Sequence, residues 1–150
     1  MSVEEFERMV MVMYFQVLRD PMTQINGFKF IYDFEGTTLQ HLMKCTPHHM
    51  YIYYHTLLHC VPGRYKGFHL INQSIVVKPC WTMIKPFLSE KIRSRVHFHS
   101  NVEELFEYFP RSILPVEYGG DLKDKIEENW LRKANKEHEN HGATGQPNYF

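Results

Sequence analysis

The residue pattern points to an α/β domain, a mainly parallel sheet flanked by helices. Helical and strand-like segments alternate along the chain, which is the order that builds such a sheet. The first strand segment has apolar side chains on both faces, as a strand covered on two sides requires. Pro and Gly punctuate the alternation, at Pro21, Asn26-Gly27, Pro62-Gly63 and Pro86.

Residues 2–20 are expected to form an amphipathic helix. Val3, Phe6, Val10, Met13, Tyr14, Val17 and Leu18 recur at spacings of three and four, and Pro21 ends the run. Gly27–Asp33 alternates as a strand, with Phe28, Phe30 and Tyr32 on one face and Lys29, Ile31 and Asp33 on the other. Thr46-Pro47 is a helix start, an N-cap followed by proline at the first helical position. Met50, Tyr53, Tyr54, Leu57 and Leu58 follow as an apolar stripe that stops at Pro62-Gly63. Gly67–Asn72 is the second strand, a helix is expected over about 74–85, and Val96–His99 is a short third strand. Ser100-x-x-Glu103 resembles a capping box that opens a short helix with Leu105, Phe106 and Phe109. One further helix is expected over 121–136, and the polar residues 137–150 read as disordered.

At 150 residues the chain has the size of one domain, with an apolar fraction of 43% and a charged fraction of 23%, the balance of a globular protein. Lys+Arg and Asp+Glu both number 17, so a general polyanion or nucleic-acid binder is not expected, while a local basic patch is compatible with the composition. The aromatic fraction of 15% calls for a large apolar interior or an apolar cavity. Cys45, Cys60 and Cys80 are odd in number and form no CxxC pair, which fits free thiols in a reducing compartment. The start of the chain is acidic where a signal peptide is basic, so a cytoplasmic protein with peripheral membrane contact is expected.

Phosphate-loop, serine-elbow and HExxH motifs do not occur. Two histidine pairs, His55/His59 at helical spacing and His97/His99 on one strand face, have geometry that a metal could use, but no acid accompanies them at motif spacing. Asp33 and Glu35 sit at a strand's C-terminal end, where they serve either acid–base chemistry or a polar turn; no nucleophile accompanies them, and the turn is favoured. No catalytic residue, metal or cofactor is assigned. Arg64 and Lys66 point the same way in extended chain, and Lys91 and Arg95 share a face on a helical turn. Segment 85–95 also carries Lys85 and Arg93 against the single acid Glu90. Such a patch is either an ordinary solvated face or a site for a phosphoinositide headgroup or anionic membrane.

Four stretches bear a family resemblance: Asn26–Gly36 (NGFKFIYDFEG), Pro62–Asn72 (PGRYKGFHLIN), Met83–Leu88 (MIKPFL) and Leu114–Gly120 (LPVEYGG). In this order and spacing they resemble the CRAL-TRIO lipid-binding domain, in its branch of α-tocopherol-transfer, retinaldehyde-binding and clavesin-like proteins, over about residues 2–122. The resemblance implies residues 1–122 as a partial lipid-binding domain and 123–150 as a helix and tail. It implies a non-enzymatic, monomeric carrier of a small hydrophobic lipid, tocopherol- or retinoid-like, that works at phosphoinositide-containing endosomal or other intracellular membranes.

By that resemblance Phe28, Tyr32, Leu39, Tyr53, Thr56, Leu57 and Phe68 line the lipid pocket, and Arg64, Lys66, Lys91 and Arg95 bind the phosphoinositide. Residues 75–88 match a mobile gate whose Val76, Val77, Trp81, Met83 and Phe87 are expected to be exposed and to insert into a bilayer when the gate is open. Val10 and Tyr14 stand where the tocopherol carrier has serines, which argues against vitamin E as the ligand. The family's N-terminal helical bundle and first strand have no counterpart in this sequence. The alternative reading is therefore a truncated module that carries no lipid and serves phosphoinositide membrane recruitment or protein interaction.

Overall fold

A computed structural model describes residues 3–44, 46–60, 62–123 and 132. They fall into two compact units, Met1–Tyr108 and Phe109–Phe150. The first unit is built on a three-stranded parallel sheet of order β1-β2-β3, with β1 Phe28–Asp33, β2 Tyr65–Ile71 and β3 Val96–Phe98. This is the expected α/β architecture.

Helix α1 runs Val3–Leu18. Pro21 does not simply end it but opens a second helix, α2 Pro21–Asn26. The reason is local: the Asp20 carboxylate accepts from the amides of Met22 and Thr23, both at 3.2 Å, and Pro21 occupies the first turn, where its missing N–H costs nothing. Gly27 then turns the chain into β1 at φ +76°, ψ −177°, a region that other residues rarely enter. A Cβ at Gly27 would lie 2.4 Å from the Arg64 carbonyl oxygen. Gly27→Ala is therefore expected to cost at least about 2 kcal/mol, from backbone strain plus the forced separation of β1 from Arg64. Urea unfolding checks this.

Between β1 and β2 lie α3 Leu39–Lys44, which the residue pattern did not announce, and α4 Pro47–His55, which continues as a π-helical turn Thr56–Cys60. The Thr46 hydroxyl caps α4 by accepting from the His49 amide at 3.2 Å. Between β2 and β3 lie α5 Val77–Ile84, a 3-10 turn Lys85–Phe87 and α6 Glu90–Arg93. After β3 the expected capping box is displaced by one residue. Asn101, not Ser100, caps the 3-10 segment Val102–Glu107 through the Glu104 amide at 3.1 Å, while the Glu104 carboxylate accepts from the Ser100 amide at 3.1 Å. The helix expected over 121–136 falls almost entirely outside the described residues.

The core lies on one face of the sheet. Tyr14 and Leu18 of α1, Tyr53 and Leu57 of the α4 segment, and Tyr65 and Phe68 of β2 form one buried cluster, joined by Phe28, Phe30 and Tyr32. The alternation of β1 thus does what its pattern implies. Phe30 stacks on Phe68 with centroids 5.4 Å apart, and Tyr14 meets Phe28 edge-on at 5.5 Å. Offset and edge-on contacts of this kind add to simple area burial. Burial pushes the phenols of Tyr14, Tyr32 and Tyr54 far up and that of Tyr65 up to about 12, so all four stay neutral.

In the second unit, two 3-10 turns, Arg111–Ile113 and Val116–Tyr118, are closed by a bridge between Pro115 and Leu122. The Arg111 guanidinium donates to the Gly119 carbonyl at 3.0 and 3.3 Å. Gly120 passes so close to Leu114 that a Cβ would lie 1.9 Å from the Leu114 carbonyl oxygen.

Candidate functional site

A cleft of about 500 Å³ opens where β2 begins, and all four cations singled out in the sequence line it: Arg64, Lys66, Lys91 and Arg95. Each arrives for a local reason. Phe28 pairs with Tyr65 but Lys29 pairs with Gly67, so β2 carries one extra residue, Lys66. That bulge leaves Lys66 exposed beside the cleft while Tyr65 and Phe68 both turn into the core. The Arg64 carbonyl accepts from the Phe28 amide at 3.0 Å, which fixes its backbone and leaves its side chain exposed. Lys91 sits on α6, whose start is capped by the Ser89 hydroxyl accepting from the Ile92 amide at 3.3 Å. Arg95 lies beyond that helix. Its carbonyl accepts from the Phe68 amide at 2.9 Å and its guanidinium donates to the Tyr65 carbonyl. Lys85 and Arg93, also in the basic segment, do not line the cleft.

His59 is a further lining residue, and the sequence reading gave it no part in the patch. Its ring packs 4.9 Å from that of His55. Among the described residues no carboxylate lines the cleft, so the fixed charges that line it are all positive. Phe87 lines the same cleft, 42% exposed, with its ring edge-on to Tyr51 at 5.5 Å. An exposed phenyl ring beside clustered cations suits the boundary between lipid headgroups and acyl chains.

A second, smaller cavity of about 60 Å³ lies between the sheet and α5. Tyr32, Phe34, Phe68 and Leu70 line one side, Val77, Cys80, Trp81, Ile84 and Leu88 the other, with Tyr54 beside them. Of the seven residues expected in a lipid pocket, Tyr32 and Phe68 line this cavity. Phe28, Tyr53 and Leu57 are committed to the aromatic core instead, Leu39 on α3 is 51% exposed, and Thr56 is half-buried away from it. Two signals could have located the cavity's walls. Leu70 is in phase with Phe68 on β2, and Val77, Cys80, Trp81, Ile84 and Leu88 repeat at three to four residues.

That same stripe corrects the gate. Val76 and Val77, expected to face outward, are 0% and 2% exposed, because the apolar face of α5 is turned onto the sheet. Trp81 and Met83 are half-buried, the indole ring edge-on to Phe98 at 5.3 Å. Phe87 alone of the five is exposed.

Asp33 serves the turn. Its Oδ1 accepts from the Glu35 amide at 2.8 Å and from the Asn72 side-chain amide at 2.9 Å. Asn72 sits at φ +50°, where asparagine is tolerated, and so ties together the C-terminal ends of β1 and β2. Among the described residues no group of three or more His, Cys, Asp or Glu is placed to hold a metal ion, and no helix is long and apolar enough to cross a membrane.

The CRAL/TRIO domain family model matches residues 1–120. Over 117 residues the chain is 34% identical to clavesin-2 of Mus musculus, a match that covers 77% of this chain and 36% of that protein. It is 33% identical to clavesin-1 of Rattus norvegicus over the same length, 77% of this chain and 33% of that protein. Clavesin-1 of Xenopus laevis is 32% identical over 117 residues, 77% of this chain and 35% of that protein. The chain spans about a third of the length of the curated relatives it matches.

Proposed function

The chain belongs to the CRAL/TRIO domain family, and on that premise we propose that it is a non-enzymatic lipid-binding protein that docks on phosphoinositide-containing intracellular membranes, such as endosomal ones. The observation that carries this reading is the convergence of Arg64, Lys66, Lys91 and Arg95 on one cleft that no acid among the described residues lines. A multiply phosphorylated inositol ring presents several dianionic groups over a few ångströms. Fixed arginine and lysine donors from separate segments match that charge better than they match a single phosphate. Phe87 at the cleft directs its ring into the acyl region once the headgroup is seated.

The apolar cavity beneath α5 is the proposed seat of a small hydrophobic lipid of the tocopherol or retinoid kind. At about 60 Å³ it is far below the roughly 300–1,000 Å³ that a ligand of that size occupies. Uptake therefore requires α5 to move off the sheet. The helix suits this role: its N-terminus has no side-chain cap, and the chain beyond it runs through Phe87 directly into the cationic cleft. Membrane docking and cavity opening are thus joined through residues 77–91.

The small cavity also favours the second reading, a recruitment module that binds membrane and carries nothing. Native mass spectrometry of protein purified from eukaryotic cells separates the two. A mass increment that resolves on extraction to a specific apolar lipid is expected of the carrier. A folded, bare protein that still binds phosphoinositide vesicles in a salt-sensitive manner identifies the module.

A further inference from the structure

The opposite face of the sheet holds a cluster that neither the cleft nor the cavity uses. The parallel register sets His69 of β2 beside His97 of β3, and His99 follows on the same face. His69 and His99 are 1% and 3% exposed. The His69 ring stacks on His97 with centroids 4.8 Å apart and on His99 at 5.2 Å, and Tyr108 meets His69 at 4.7 Å and His97 at 4.9 Å. His69 Nδ1 lies 2.9 Å from His99 Nε2, and His99 Nδ1 lies 3.4 Å from a Glu104 carboxylate oxygen.

These contacts specify the protons. A carboxylate only accepts, so His99 carries its proton on Nδ1 and offers a lone pair at Nε2. His69 must then donate from Nδ1. The arrangement holds together with both rings neutral, and a second proton on His69 would place its charge at Nε2, a buried atom beside the stacked His97 ring. We infer that the stacked imidazoles of His69 and His97 form an acid-sensitive latch, closed at neutral pH, that holds the sheet against Tyr108 at the end of the 3-10 segment Val102–Glu107 and yields as they take up protons.

The charges facing the cluster favour release. From β1 comes the Lys29 ammonium, whose Nζ donates to the Tyr108 carbonyl at 3.0 Å. From β3 and its exit come His97 and His99, and from the 3-10 segment the Glu104 carboxylate. Burial, reinforced by His97, His99 and Lys29, holds His69 down at about 4, and burial lowers His97 in the same direction. Release reaches beyond the cluster. The His99 carbonyl accepts from the Gln73 side-chain amide at 2.8 Å, and Gln73 lies in the loop that leads into α5.

The sign follows from proton linkage. Between about pH 6.5 and 4 the unfolded chain binds protons that the folded chain refuses, so stability is full above that window and declines as pH falls through it. His69 alone accounts for a rise of up to about a hundredfold in the unfolding constant across the window. The test is urea unfolding of the whole chain from pH 7.5 to 4.5, wild type against His69→Asn, which keeps a donor near the Nδ1 position. The expected result is a markedly shallower pH dependence in the variant. Equal dependence in both proteins overturns the proposal. Should the variant not fold, the imidazole resonances of the wild type decide: His69 is expected to remain neutral to below pH 5, and a titration near pH 6.5 contradicts the latch. Neither readout involves cargo or membrane, so the latch and the carrier reading fail separately.

Discussion

Replacing Arg64, Lys66, Lys91 and Arg95 together by alanine is expected to abolish binding to phosphoinositide vesicles in a chain that still folds, with a stability cost from Arg95 alone. Arg64, Lys66 and Lys91 are exposed, and Arg95 is half-buried. A cation near an anionic surface contributes about 1 kcal/mol, so four amount to about 4 kcal/mol, or about a thousandfold in affinity. Single replacements separate the contributions. Lys66→Ala, at a bulge tip, is expected to lose only its charge. Arg95→Ala also loses a bond to the Tyr65 carbonyl and so affects stability as well as affinity. Vesicle flotation at two salt concentrations reads both the loss and its electrostatic origin, since screening weakens wild-type binding in the same direction. Lys85→Ala and Arg93→Ala are the controls, because neither residue lines the cleft.

Phe68→Ala is expected to destabilise the fold by about 3–5 kcal/mol. The side chain is 4% exposed and stacks on Phe30, Tyr65 and Tyr32 at 5.4, 5.9 and 6.5 Å. Removing it takes away the centre of the aromatic cluster and leaves a void that the stiff rings around it cannot close. Phe68 also lines the cavity beneath α5, so the variant enlarges the proposed lipid site even as it weakens the fold. Thermal unfolding with and without an added apolar ligand distinguishes these effects. A ligand that fills the void is expected to return part of the lost stability by binding only the folded state.

Much of this architecture is legible in the sequence because it is local. The alternation of Phe28, Phe30 and Tyr32, the Thr46-Pro47 helix start and the break at Pro62-Gly63 each depend on neighbouring residues, and each produces its element. What escaped depends on residues distant in sequence. Nothing near Lys66 announces a bulge, since the extra residue exists only relative to β1. His97 and His99 can be placed on one strand face from their spacing, but His69 joins them across 30 residues through strand pairing. The outward orientation expected of Val76 and Val77 failed for a related reason. The direction of an amphipathic helix is set by the surface it meets, and α5 meets the apolar face of the sheet. Leu39 and Thr56 show the converse: apolar or small residues on the helical segments between β1 and β2 need not reach the cavity. Short spacing grouped Arg64 with Lys66 and Lys91 with Arg95, but it equally offered Lys85 and Arg93, which do not line the cleft; the family resemblance, not the spacing, singled out the four.

The most direct measurement is amide chemical-shift mapping of the labelled chain during titration with a soluble inositol polyphosphate headgroup. Saturable shifts confined to residues 64–66 and 89–95, lost at high salt, are the predicted result. No shifts, or shifts centred on another face of the first unit, would contradict a headgroup site in this cleft.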